Sequence, residues 1–170
     1  MGSIRRVLRP MLLGSRWGIA GSVYGAIVVM GTITAGSAGR TRSAWVLATV
    51  TVATVVVLWI AHVYAHSLGE SLERERTVTR SEFTGIARRE SSILLAAAGP
   101  VLALVAGALG IVKETTAVWA ALGIGVLTLA AQGLRYARSE GMGRPGTFVA
   151  VSVNVSLGLV IVALEAFVTH

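Results

Sequence analysis

The chain has 170 residues, 54% of them hydrophobic, a mean hydropathy of +0.75 and a formal charge of +7. It is too apolar for a soluble globular domain and too short for two, and its charge does not imply nucleic acid, because the arginines cluster beside apolar runs of membrane-spanning length. With neither cysteine nor aspartate in the sequence, disulfides, thiolate metal sites and cysteine nucleophiles are excluded, and any metal would take nitrogen and oxygen ligands.

A bilayer core of roughly 30 Å needs about 20 apolar residues in helical form. Five stretches qualify: 17–35, 44–65, 93–112, 115–134 and 147–168. The pattern predicts an all-α, polytopic helical bundle forming one transmembrane domain over 1–170. Arg5, Arg6, Arg9 and Arg16 precede the first stretch in the manner of a signal peptide, but the apolar run is too long for one and reads as a retained helix. The segments before the first span, between the second and third, and between the fourth and fifth hold 12 of the 15 basic residues. This places the amino terminus in the cytoplasm and His170 outside. Arg40, Arg42 and Lys113 fall on the other side, and Lys113-Glu114 requires a tight hairpin between the third and fourth spans. The bias to arginine over lysine, 14 to 1, suits a bacterial source and so the bacterial cytoplasmic membrane.

Between the second and third spans, residues 67–92 form the expected cytoplasmic helical connection. Glu70, Glu73 and Glu75 against Arg74, Arg76 and Arg80 suit a solvated continuation of the second helix. Thr79 followed by Glu82 fits a capping box that starts a new helix. Pro100 lies inside the third span, where neighbouring helices can satisfy the carbonyl it frees.

Polar side chains within the spans carry the functional signal, since they usually face protein or a transport path rather than lipid. At about 100° per residue, His62, His66, Glu70 and Glu73 share one face of the second helix, and Thr51, deeper in that helix, falls on it too. Such a row could pass protons near neutral pH or bind a divalent cation, with His62, His66 and Glu70 as ligands. It could equally be two interfacial histidines bonded to backbone, with Tyr64 in an aromatic belt and the glutamates solvated. A second face, on the last helix, carries Thr147, Asn154, Gly158, Ile161 and Glu165. Asn154 suits a helix-to-helix hydrogen bond or the lining of a path. Glu165, near the outer edge, suits an outer ion site or a side chain reaching toward Arg40, Arg42 or Lys113. Gln132 and Arg135 read as interface anchors.

Small residues four apart, at Gly14, Gly18 and Ser22, at Gly21 and Gly25, and at Gly99, Ala103 and Gly107, form seams for close helix approach within one chain or between copies. His62-Val63-Tyr64-Ala65-His66 lacks the glutamate of a zincin helix, and no nucleophile elbow is present, so no enzyme is expected. The composite expectation is a small transporter or channel for a divalent metal cation or protons, acting as a homo-oligomer, a dimer favoured, in contact with membrane lipid. The alternative is a non-transporting scaffold or accessory subunit that recruits a partner through residues 67–92.

The segment Ser67-Leu68-Gly69-Glu70-Ser71 and the arginine-bearing connection from Gly133 to Gly146 resemble the vacuolar iron transporter family. The resemblance implies five spans, a cytoplasmic amino terminus, a helical insertion between the second and third spans, a dimer, and Glu70 on a cation path. The chain departs from that family at Tyr24-Gly25, where the family has an Asp-Gly pair. It also shows no evident path methionine in the second helix, and its insertion is shortened to residues 67–92.

Overall fold

The computed structural model describes residues 16–37 and 43–168, and among them the chain is all helical. The helices are α1 (Arg16–Ser37), α2 (Ala44–Glu73), α3 (Arg80–Ala108), α4 (Glu114–Ser139) and α5 (Arg144–Val168). All five are long and apolar enough to cross a membrane. Arg5, Arg6, Arg9, Gly14, Arg40, Arg42 and His170 lie outside the described residues.

Among the described residues α1 packs against all four other helices, which stand around it in chain order, α2 beside α3, α3 beside α4 and α4 beside α5. The centre is filled by Met30 and Ile33 of α1, Ile93 and Leu104 of α3, and Leu122 and Leu129 of α4. Among the described residues α5 touches only α4 and α1, and just 6% of its apolar stretch is buried, against 28–44% for the others. Lipid tails are as apolar as leucine, so burial in a bilayer offers little drive for helices to associate, and close packing has to supply it.

Glycine supplies that packing. A Cβ at Gly25 would lie 3.0 Å from the Ile93 carbonyl oxygen and 3.1 Å from the Ile93 Cα, so α1 and α3 meet backbone to backbone. At Gly133 a Cβ would lie 2.8 Å from the Ala150 oxygen and 2.9 Å from the Val151 Cα, which brings α4 and α5 together in the same way. Gly107 faces Ala117, and Gly99 faces Ile124. The seams expected at Gly21 and Gly25 and at Gly99 and Gly107 are thus contacts within one chain.

The ends of the helices follow local chemistry. α3 stops at Ala108, four residues short of the expected end, because Gly110 takes a left-handed conformation (φ 73°). Its amide bonds the Gly107 carbonyl at 2.9 Å and that of Ile111 the Ala106 carbonyl at 3.0 Å, which is the Schellman pattern. Gly141 (φ 63°) closes α4 in the same way. At the other end of the α3–α4 turn, the Glu114 carboxylate accepts from the Ala44 amide at 3.2 Å, placing a negative charge on the amino-terminal end of α2.

α2 runs on past its apolar stretch to Glu73, and Thr79 with Glu82 forms the expected capping box. The arginines of the connection converge on Glu82: Arg76 Nη2 donates to it at 2.6 Å, and Arg74 bonds it as well. Arg76, followed by the Thr79 amide and hydroxyl, holds the Glu82 carboxyl well below the ordinary carboxylate range, and the carboxylate in turn raises Arg76. A carboxyl depressed on folding stabilises the connection at and above its ordinary titration range and ceases to do so as pH falls through the lowered value. A Glu82→Gln variant should therefore show faster amide hydrogen exchange across residues 74–82 at neutral pH, with exchange in α1 and α4 unchanged. Equal protection in both proteins would mean the capping box alone holds the turn.

Candidate functional site

The side chains singled out in the sequence fall into three places. The first is a cleft of about 360 Å³ between the C-terminal end of α2 and the N-terminal part of α3, lined by His66, Glu70, Glu73, Arg89 and Glu90. α2 is helical without interruption from Ala44 to Glu73, so the spacing of His62, His66, Glu70 and Glu73 delivers a row along one face. His62 Nδ1 lies 3.0 Å from the Leu58 carbonyl oxygen, and His66 Nδ1 lies 3.0 Å from that of His62. A carbonyl only accepts, so Nδ1 carries a proton in both rings, and on neutral His62 the basic nitrogen is Nε2. The His62 ring meets Tyr24 of α1 with centroids 5.1 Å apart, and the two imidazole centroids are 6.4 Å apart.

Glu90 completes this cluster and is absent from the sequence reading. It is 8% exposed, and its Oε1 lies 3.5 Å from His66 Nδ1. Gly21 of α1 lies against it: a Cβ there would be in ordinary contact with Glu90 Oε2, at 3.9 Å, and would collide with Ser92 Oγ, at 2.5 Å. A signal was present: Glu90 is spaced four, three and seven residues from Ile86, Ile93 and Ala97, all buried, so it sits on the inward stripe of α3. Its neighbours Arg88 and Arg89 make the local composition read as a solvated run.

The second place is the opposite end of the bundle. Glu165 is 2% exposed, and the Ser37 hydroxyl lies 2.6 Å from both of its carboxylate oxygens. Instead of reaching to the aqueous edge, Glu165 turns inward, because the face it shares with Asn154, Gly158 and Ile161 is the one that α5 presents to α4 and α1. Thr34, one turn from Ser37, and Thr51 of α2 are buried with hydroxyls that lack a hydrogen-bond partner among the described residues, and the same holds for Ser92 beside Gly21. Buried hydroxyls are ordinarily satisfied, so each has an unmet capacity to bond.

The third place is a separate cleft between α1, α4 and α5, which takes in Asn154 and Gln132. Asn154 Nδ2 donates to the Ala150 carbonyl of its own helix at 2.9 Å, rather than across to a neighbour. Gln132 is 7% exposed, not an interfacial anchor, and accepts from Arg135 Nη1 at 3.2 Å.

Among the described residues no three His, Cys, Asp or Glu side chains converge as a metal-holding group. His62 is turned to Tyr24 and His66 to Glu90, so with Glu70 they do not form a ligand trio in this conformation. Comparison with family models, curated proteins and solved structures returned no match.

Proposed function

We propose that this chain is a multi-pass protein of the bacterial cytoplasmic membrane, amino terminus inside, that moves protons or a small cation across the bilayer. The observation that carries this reading is a pair of buried carboxylates at opposite ends of the bundle, each beside a side chain able to hand over a proton: Glu90 with His66, and Glu165 with Ser37. Ionisable groups inside a membrane bundle are costly, and their usual use is an ion pathway or proton relay. Glu70 and Glu73 form the cytoplasmic mouth, and His62, one turn beyond His66, extends the row inward. The gap between the imidazoles suits a bridging water. The unmet hydroxyls of Thr51 and Thr34 suit a hydrated route toward Glu165. A divalent metal, as the family resemblance implies, would have to draw His62, His66 and Glu70 together. In this reading the chain works as a homodimer in contact with lipid, and Asn154 belongs to the other cleft.

The test is flux into liposomes holding only this protein, with protons, Fe, Mn, Zn and monovalent cations each supplied in turn. Proton flux should exceed that of empty liposomes, and the His62→Ala/His66→Ala double variant should fall to that background with expression and assembly intact. Unchanged flux would remove the histidine row from the mechanism.

A second reading, a scaffold that recruits a partner, is favoured by Leu72 and Phe83, exposed at 72% and 48% in the connection beyond the apolar stretches. Absence of flux for every ion would select it.

A further inference from the structure

The cleft between α1, α4 and α5 holds two side-chain amides whose hydrogen bonds are incomplete. Gln132 of α4 is 7% exposed. An arginine only donates, so Arg135 Nη1 fixes the Gln132 oxygen on its own side, and among the described residues nothing accepts from Gln132 Nε2. Asn154 of α5 is oriented by the Ala150 carbonyl, which takes one Nδ2 proton and leaves the other without an acceptor among the described residues. The same carbonyl oxygen stands 2.8 Å from where a Gly133 Cβ would lie, so the close seam of α4 and α5 brings the Asn154 amide to the level of Gln132. Gln132 lies seven residues before the end of α4 and Asn154 ten after the start of α5, about 10 Å and about 15 Å along the helices. Hydrocarbon offers no hydrogen-bond partner at that depth, whereas buried donors are ordinarily satisfied. The α1 wall is apolar at this level, formed by Val23 and Ile27 with the Tyr24 ring beside them. The cleft volume, about 490 Å³, is within the range of small-molecule sites.

Two unused donors in an apolar cleft at bilayer depth call for a neutral, bilayer-dissolved ligand that accepts hydrogen bonds. A phospholipid carries its ester carbonyls beneath a headgroup held at the surface, and so too shallow for these amides. A quinone has carbonyls and no such anchor. We propose that the cleft binds a quinone, one ring carbonyl accepting from Gln132 Nε2 and Asn154 Nδ2 and the alkyl tail lying along Val23 and Ile27. A carbonyl oxygen has two lone pairs, so both donors can share it. Neither amide belongs to the proton route, and the ligand is uncharged, so the proposal depends neither on proton conduction nor on the net charge around the cleft.

The experiment is equilibrium dialysis of three probes against the full chain in neutral-detergent micelles, with protein-free micelles as the blank. The probes are a ring-substituted decylbenzoquinone, decylbenzene, which has the ring and chain without the carbonyls, and dodecanol, which has a hydroxyl instead. The quinone should bind saturably and at least tenfold more tightly than either of the others. Asn154→Leu and Gln132→Leu should each weaken quinone binding about tenfold and leave decylbenzene unchanged. Asn154 is only half-buried and bonds within its own helix, so its variant should keep the melting temperature of the parent and remains informative if Gln132→Leu unfolds. Equal affinity for quinone and decylbenzene, dodecanol bound as tightly as the quinone, or quinone binding undisturbed by Asn154→Leu would each overturn the assignment.

Discussion

Replacing Gly133 by alanine is expected to destabilise the bundle by about 1–3 kcal/mol, the usual cost of forcing a methyl group into a filled interior. The added Cβ would meet the Ala150 oxygen and Val151 Cα at under 3.0 Å. Both are backbone atoms, so no side chain can rotate out of the way and α5 has to move from α4. Among the described residues α5 has only α4 and α1 to hold it, so losing the α4 seam removes much of its attachment. The control is Gly123→Ala on the same helix, where a Cβ meets nothing within 4 Å. That change should be neutral, or stabilising by up to about 1 kcal/mol from helix propensity. Thermal unfolding in detergent, followed by helical circular dichroism, separates the two; equal melting temperatures would show that α5 is held by something other than this contact.

The second large effect is expected at Glu90. Glu90→Gln keeps the size of the side chain and its ability to bond His66 but removes the group that takes up and gives back a proton. If the relay runs through this carboxylate, proton flux in liposomes should fall at least tenfold, while unfolding temperature and oligomeric state stay as in the parent. Glu165→Gln should produce a comparable loss from the other end, since a series path fails at either station. Flux retained in Glu90→Gln but lost in Glu165→Gln would place the cytoplasmic mouth elsewhere, and flux retained in both would reject the two-carboxylate route.

Much of the fold is written in local patterns. An apolar run of bilayer length needs no knowledge of its neighbours, and neither does the Thr79–Glu82 box, whose two hydrogen bonds lie within four residues. The histidine row was legible for the same reason, being a matter of spacing along one helix. What the sequence left open were relations between helices. Gly21 and Gly25 were recognisable as a seam, but only the packed bundle tells that α3 fills it. Arg74 and Arg76 have glutamates closer in sequence than Glu82, yet the turn brings both to Glu82. Glu90 and Glu165 were the hardest to judge. A glutamate beside two arginines, or near the end of the last span, has the composition of an exposed residue, and burial is decided by which neighbour covers it.

The contact at Gly25 has a mechanical meaning. It lies near the middle of α1, and Ile93 near the middle of α3, so two stiff rods touch at their midpoints with no compressible side chain between them. Such a point is a fulcrum. α1 can rock on it, but rocking that spreads the rods at one end draws them together at the other. Rocking that opened α1 and α3 toward Ser37 would close them toward Gly18, so the two ends could not open at once and no hinge inside any helix would be needed.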